Sequence, residues 1–169
     1  MNTLKSILSP RCVAMNDIEC SWLLHEAATV TGNSKLIKKI EQVSLGIADA
    51  AMQGYLPFGA LRYEDDREGH HKDDELEWWA QAEAVVGLLN AYTLQTRDED
   101  LFRAHKIMEF IDRYFADREN GEWYFRVDHQ GRPLRAHEKA GFWKCPYHNA
   151  RACLEILHRL ELLKNQHSW

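Results

Sequence analysis

The chain has 169 residues, of which 45% are hydrophobic and 28% charged, and this composition excludes a disordered or fibrous protein. Its 26 acidic residues outnumber 21 Lys and Arg, which gives a formal net charge of −5 without the basic stripe that a nucleic-acid partner would require. The apolar runs fall short of the roughly 18 residues of a membrane span, and the first ten residues are too polar for a secretory signal. We therefore expect a cytoplasmic protein with neither a nucleic-acid nor a membrane partner.

The cysteine spacing predicts free thiols. The four cysteines form two distant pairs, and neither pair has the CxxC spacing that is typical of zinc sites. The sequence requires neither a metal nor an organic cofactor, so we expect none. The pairs are Cys12 with Cys20 and Cys145 with Cys153.

Hydrophobic periodicity predicts five helices. Asp17 can cap the first, Gly32 and Asn33 can end it, and Pro146 suits the first turn of the last. The predicted helices cover approximately residues 17–31, 34–52, 77–95, 98–116 and 146–164.

Each predicted helix carries an apolar stripe that is expected to face the core. The third helix is apolar over much of its circumference, so we expect it to be buried on more than one side. The stripe of the first helix comprises Cys20, Leu23, Leu24, Ala27 and Val30, and that of the fifth comprises Ala150, Cys153, Leu154, Leu157 and Leu160.

The order of helix, helix and extended loop occurs twice, with a shift of 65 residues between the two copies. Residues 121–131, and more weakly 55–67, have the aromatic and β-branched composition of short strands or hairpins. This order predicts stacked helical hairpins, which form an open solenoid or a closed ring and need neighbours on their terminal faces. The fifth helix would begin a third hairpin.

His148 is a candidate general base. It follows Pro146 within the first turn of a predicted helix, where the positive end of the helix dipole disfavours the imidazolium form. Trp143 lies just upstream and could supply an apolar platform. The alternative is a histidine that only forms local hydrogen bonds at a helix start.

Trp79 and Glu83 are a candidate sugar-binding pair, since residues four apart share a helix face. An indole can stack on the C–H face of a sugar while a carboxylate accepts hydrogen bonds from its hydroxyls. Core packing is the alternative, and it suits Trp78 better than Glu83, whose helix face is otherwise apolar.

Other polar residues have simpler explanations. Asp17 and Glu19 are stabilised by a helix N-terminus without any function. The adjacent His70 and His71 lie in a charge-rich loop and are expected to be solvated rather than metal-bound. We expect the remaining histidines to lie in loops (His129, His137) or on solvated helix faces (His25, His105, His158).

The segments EWWAQAE at 77–83 and WKCPYHN at 143–149 resemble the N-acylglucosamine 2-epimerase superfamily, and most of all its cellobiose 2-epimerase branch. The resemblance runs from about residue 17 to residue 163. It implies an all-α fold in which helical hairpins close into an (α/α)6 barrel. The implied chemistry is removal of the C2 proton of a reducing-end sugar through an enediolate, with two histidines as base and acid.

The resemblance also assigns residues. His148 matches one catalytic histidine, and Glu19 matches the carboxylate that supports the other. Trp143 and one or both of Trp78 and Trp79 match the aromatic positions expected to shape the sugar site. With Glu83, the predicted substrate-binding residues are Trp78, Trp79, Glu83 and Trp143.

The sequence departs from the family at Asn16, which stands where the second catalytic histidine is expected and cannot carry a proton at neutral pH. The matching region is also only about half of a barrel. We therefore divide the chain into an atypical segment, 1–16, and the C-terminal half of a barrel, 17–169. The expected function is a sugar 2-epimerase or aldose–ketose isomerase of impaired activity. The alternative is a non-catalytic remnant that binds carbohydrate or packs on a partner, as a homo-oligomer or with a complementing N-terminal fragment.

Overall fold

Five helices make up most of the computed structural model, which describes residues 11–12, 14–63, 65–66 and 75–166. A 3₁₀ turn (Met52–Gly54) extends the second helix, and a π-helical turn (Ile111–Phe115) extends the fourth. Among the described residues, no helix is long and apolar enough to cross a membrane. The helices are α1 (Ala14–Val30), α2 (Ser34–Ala51), α3 (Trp78–Gln95), α4 (Asp98–Phe110) and α5 (Tyr147–Gln166).

The strands form three short antiparallel ribbons in the loops between the helices. The predicted hairpin at 55–67 contains one complete pairing, and its last strand pairs instead with residues 11–12 before the first helix. The extended segment at 121–131 contributes one strand, whose partner strand lies immediately before α3. The ribbons are β1 (Arg11–Cys12) with β4 (Asp65–Asp66), β2 (Tyr55–Leu56) with β3 (Ala60–Leu61), and β5 (Leu76–Glu77) with β6 (Arg126–Val127).

The helices lie in two layers. In one layer α3 packs between α1 and α5, while α2 packs on α1 and α4 packs on α3 in the other layer. The predicted repeat of helical hairpins is therefore confirmed for α1–α2 and α3–α4, and α5 packs on α3 on the side opposite α1. Every residue of α3 from 80 to 91 is buried, as its apolar circumference predicted.

Two predicted helix faces are wrong. In α1 the predicted stripe is largely exposed (Val30 89%), because the helix turns Ile18 and Trp22 toward α3. In α5 the predicted stripe is also exposed (Leu154 68%, Leu157 66%). Both helices instead bury polar or aromatic side chains in the interface that holds the candidate site described below. Apolar periodicity does not detect a buried face of this kind. The start of α1 also differs, since Asp17 lies inside its first turn instead of capping it.

Gly87 allows the close approach of α1 to α3. A Cβ atom at position 87 would lie 2.6 Å from Cγ1 of Ile18 and 3.0 Å from its carbonyl oxygen. We expect Gly87→Ala to lower the free energy of unfolding, because overpacking costs about 1–3 kcal/mol. That cost exceeds the gain of about 1 kcal/mol from replacing a helical glycine with alanine. Urea denaturation measures the difference.

Gly46 is the matched control, because it lies in α2 and a Cβ atom there meets nothing within 4 Å. Gly46→Ala is expected to raise the free energy of unfolding by up to about 1 kcal/mol. Equal stability of the two alanine variants would contradict the close α1–α3 packing.

Candidate functional site

Glu83 is the centre of the candidate site. It lies in the second turn of α3 with no exposed surface, and its carboxylate accepts three side-chain hydrogen bonds. Trp22 of α1 donates Nε1–H to Oε2 at 3.0 Å, and His148 and Arg151 of α5 donate to Oε1 at 2.7 and 2.6 Å. A single buried carboxylate therefore joins all three helices of one layer.

Arg151 completes the connection between the helices. Its Nη2 also donates to Oε1 of Glu19, near the start of α1, at 2.7 Å. Its guanidinium lies 5.0 Å from the Trp22 ring centre and 4.7 Å from that of Tyr147. Burial lowers the pKa of Arg151, but the bonds to Glu83 and Glu19 outweigh it, so the net shift is upward. The guanidinium is thus a fixed positive charge beside His148.

The Glu83 bond determines which nitrogen of His148 is available. A carboxylate that is held by Arg151 can only accept hydrogen bonds, so Nδ1 of His148 must carry the hydrogen. In a neutral imidazole the other nitrogen, Nε2, is then the acceptor. His148 is the second residue of α5, as predicted, and is partly exposed. The arrangement therefore presents an unprotonated nitrogen that can take a proton.

Glu19, Glu83 and His148 also offer ligand atoms within 4.8 Å of one another, which is a spacing that could suit a metal ion. Arg151 already bridges the two carboxylates and offsets one of their two negative charges. A metal ion would have to displace this guanidinium, so we assign the three residues no metal.

Of the predicted tryptophans, Trp79 lies beside the base. Its half-buried ring is centred 5.1 Å from the His148 ring at an interplanar angle of 30°, and its Nε1–H donates to Glu77 at 2.6 Å. Trp78 is 3% exposed and packs in the core, with Nζ of Lys144 5.0 Å from its ring centre and the His148 ring edge-on at 6.2 Å. Trp143 is 82% exposed in the loop before α5. The rings of Trp79 and Trp78 therefore both contact His148, but only the ring of Trp79 is partly accessible, and Trp143 lies on the surface.

Sequence reasoning missed Trp22, Arg151 and Tyr147. A local signal did exist, since Trp22 is three residues after Glu19 and Arg151 three residues after His148, on the same helix faces. Asn16, at the position expected to hold the second histidine, is exposed in the first turn of α1, one turn before Glu19.

A second set of buried polar contacts lies about two helical turns farther along the same three helices. Arg159 of α5 is 7% exposed and donates to Oδ1 of Asn90 at 3.1 Å and to Oε1 of Glu26 at 2.5 Å. His25 bonds the same Asn90 oxygen at 2.9 Å, so it is not the solvated side chain that the sequence predicted. The Glu83 contacts join the N-terminal parts of α1, α3 and α5, and the Asn90 contacts join residues about two turns later in all three. The three helices therefore run parallel, with the candidate site at their N-terminal ends.

The other histidines are placed as predicted where the structure describes them. His105 and His158 are exposed on helices, and His129 and His137 are exposed in loops. The pair at 70–71, predicted to be solvated, lies outside the described residues.

Three comparisons with known proteins bear on this site. Residues 16–152 match the family model of N-acylglucosamine 2-epimerase (GlcNAc 2-epimerase). The chain is 44% identical over 142 residues to a cellobiose 2-epimerase of Bacteroides fragilis, covering 84% of this chain and 36% of that protein.

Solved structures give the same result for the fold. A sugar epimerase from a ruminal bacterium matches with a TM-score of 0.83 and 35% identity, covering 94% of this chain and 41% of that one. The cellobiose 2-epimerase of Bacillus thermoamylovorans B4167 matches with a TM-score of 0.79 and 36% identity, covering 90% and 38%. The two layers of helices are therefore part of an (α/α)6 barrel, and the chain spans somewhat more than a third of the length of these relatives.

Proposed function

Since the chain belongs to the N-acylglucosamine 2-epimerase family, we propose that it forms one wall of a sugar site in which His148 carries the proton of C2. The observation that carries the proposal is the bond from His148 Nδ1 to the buried Glu83, which leaves Nε2 as the acceptor. The half-buried face of Trp79 beside it offers a stacking surface for a mono- or disaccharide.

The reaction balances without a cofactor. Nε2 of His148 removes the C2 proton, and the electron pair of the C–H bond forms the C1–C2 double bond of an enediolate as the C1 carbonyl oxygen becomes negative. Return of a proton to the opposite face of C2 re-forms the C1 carbonyl and gives the epimer. Return of the proton to C1, with transfer of the O2 hydroxyl proton to O1 so that the carbonyl forms at C2, gives the ketose. A general base in this position contributes about 10²–10⁴-fold to the rate.

Asn16 at the position of the second histidine indicates that epimerisation by this chain is impaired. Epimerisation needs a proton carrier on each face of C2, and an amide at position 16 carries none at neutral pH. Transfer from C2 to C1 on one face requires only one carrier, so isomerisation remains open to this site. The alternative function is carbohydrate binding without turnover, for which the same Trp79 face would serve.

The exposed stripe of α5 supports a protein partner. Leu154 and Leu157 are each about two-thirds exposed on the side of α5 that faces away from α3. A third hairpin of a barrel would need a neighbour there. We propose that a second copy of this chain, or a complementing fragment of a barrel, covers this stripe.

Deuterium exchange at C2 tests the proposed chemistry. The full chain is incubated in D₂O with mannose, cellobiose or an N-acylhexosamine, and loss of the C2 proton signal is followed by NMR. We expect exchange that falls at least about 100-fold in His148→Ala, because the general base is removed. His158→Ala is the matched control, since His158 is an exposed histidine on the same helix, and it should exchange like the wild type.

The experiment also separates the two functions. Absence of exchange, alone and with a complementing barrel fragment, would overturn the catalytic proposal. Sugar binding measured by calorimetry in that case would support the binding alternative. Exchange that persists in His148→Ala would show that another group carries the proton.

A further inference from the structure

Glu122 joins the loop after α4 to the segment that carries His148. Its carboxylate Oε1 accepts from the backbone N–H of Trp123 at 2.9 Å, Nζ of Lys144 at 2.9 Å and Nδ2 of Asn149 at 2.8 Å. Two of these donors lie on either side of His148, four residues before it and one residue after it. The carboxylate is therefore bonded both to the loop before α5 and to the first turn of α5.

The bonds to Glu122 are sheltered. The Lys144 side chain is 1% exposed, and its ammonium lies over the Trp78 ring with Glu122 as its ion-pair partner. Asn149 is 8% exposed. Burial raises the pKa of Glu122, but the N–H of Trp123 and the Lys144 ammonium outweigh it and hold the pKa below its ordinary value. The carboxylate therefore stays ionised and keeps all three donors at neutral pH.

The backbone at Glu122 is also strained. Its φ of +62° lies in the left-handed region, directly after Gly121 at +73°. Such a conformation in a residue with a Cβ persists only where the surroundings hold it, and strained residues of this kind cluster at functional sites. From this backbone conformation the Glu122 carboxylate reaches Lys144 and Asn149.

We propose that Glu122 is a positioning residue for His148, holding the 144–149 segment so that the imidazole meets Glu83. The proposal rests on the proposed function of His148, but its test does not require the chain to turn over a sugar. Glu83 fixes one nitrogen of the ring, whereas Glu122 fixes the backbone on either side of it. Loss of Glu122 should release the turn that carries His148, and displacement of a catalytic group by about 1 Å costs ~100-fold in rate.

The ¹⁵N signals of the His148 ring test this proposal, because they report directly which nitrogen carries the hydrogen. In the wild-type chain we expect the Nδ1–H form to dominate. In Glu122→Ala we expect a mixture of both tautomers, with a C2 exchange rate about 100-fold lower if the chain exchanges. Glu122→Gln retains an acceptor oxygen at the same place and should restore the Nδ1–H form.

Asp128→Asn is the matched control. Asp128 also holds a loop, accepting from the backbone of Gln130 and from the backbone and side chain of Arg132, but it has no bond to α5. It should leave the His148 signals unchanged even where it lowers the melting temperature.

If Glu122→Ala fails to fold, Asn149→Ala removes only the donor on α5 and should produce the same mixture of tautomers. Wild-type ring signals in both variants would overturn the proposal. The ring measurement needs no sugar, so a chain without C2 exchange would refute the proposed function and still give a result for Glu122.

Discussion

Glu83→Gln is expected to lower the free energy of unfolding by about 3 kcal/mol, which is the lower end of the range for breaking a buried ion pair. The carboxylate has three donors on two oxygens, and the amide of Gln would turn an N–H₂ group toward either Trp22 or the pair of His148 and Arg151. The value stays at the lower end because Arg151 keeps its bond to Glu19. Chemical denaturation of the full chain measures the change.

A surface carboxylate provides the comparison for Glu83. Glu99 pairs with Arg103 at 2.9 Å on α4, but its side chain is 53% exposed. We expect Glu99→Gln to change the stability by less than about 1 kcal/mol, since exposed ion pairs contribute little. Equal effects of the two substitutions would show that Glu83 does not organise the three helices.

Leu154→Glu combined with Leu157→Glu is expected to abolish association of the chain. Burial of one leucine contributes about 1.5–3 kcal/mol. Loss of two such side chains from an interface therefore weakens binding by ~10²–10⁴-fold. Sedimentation velocity over a range of concentrations should show a concentration-dependent species for the wild type, and a monomer for the double variant.

Phe102 serves as the control for this surface. It is 55% exposed on a different helix, α4, where Lys106 lies over its ring. Phe102→Glu should associate like the wild type. A wild-type chain that stays monomeric and soluble at all concentrations, with and without a barrel fragment, would contradict the proposed partner surface.

The helix boundaries follow closely from local signals in the sequence. The predicted second helix at 34–52 corresponds to α2 at Ser34–Ala51, because Asn33 caps it by accepting from the N–H groups of Lys35 and Leu36. The third, at 77–95, corresponds to α3 at Trp78–Gln95. Capping and periodicity act over a few residues, so one sequence is enough to read them.

The buried faces of α1 and α5 could not be read in the same way. Trp22 lies 61 residues before its acceptor Glu83, and Arg151 lies 68 residues after it. Because of these polar contacts, each helix buries a face that hydrophobicity alone would predict to be exposed to solvent. His148 and Glu83 were predicted as separate site residues, and their bond is a fact of tertiary packing that only the structure supplies.

The bond between Glu83 and His148 underlies the proposed site, and the ring tautomer of His148 in the wild-type chain tests this bond most directly. A long-range ¹H–¹⁵N spectrum at a pH where the ring is neutral should show hydrogen on Nδ1 and a free, acceptor-type Nε2. A ring with hydrogen on Nε2 would place the acceptor nitrogen toward Glu83. That result would contradict both the buried hydrogen bond and the role of His148 as the proton carrier.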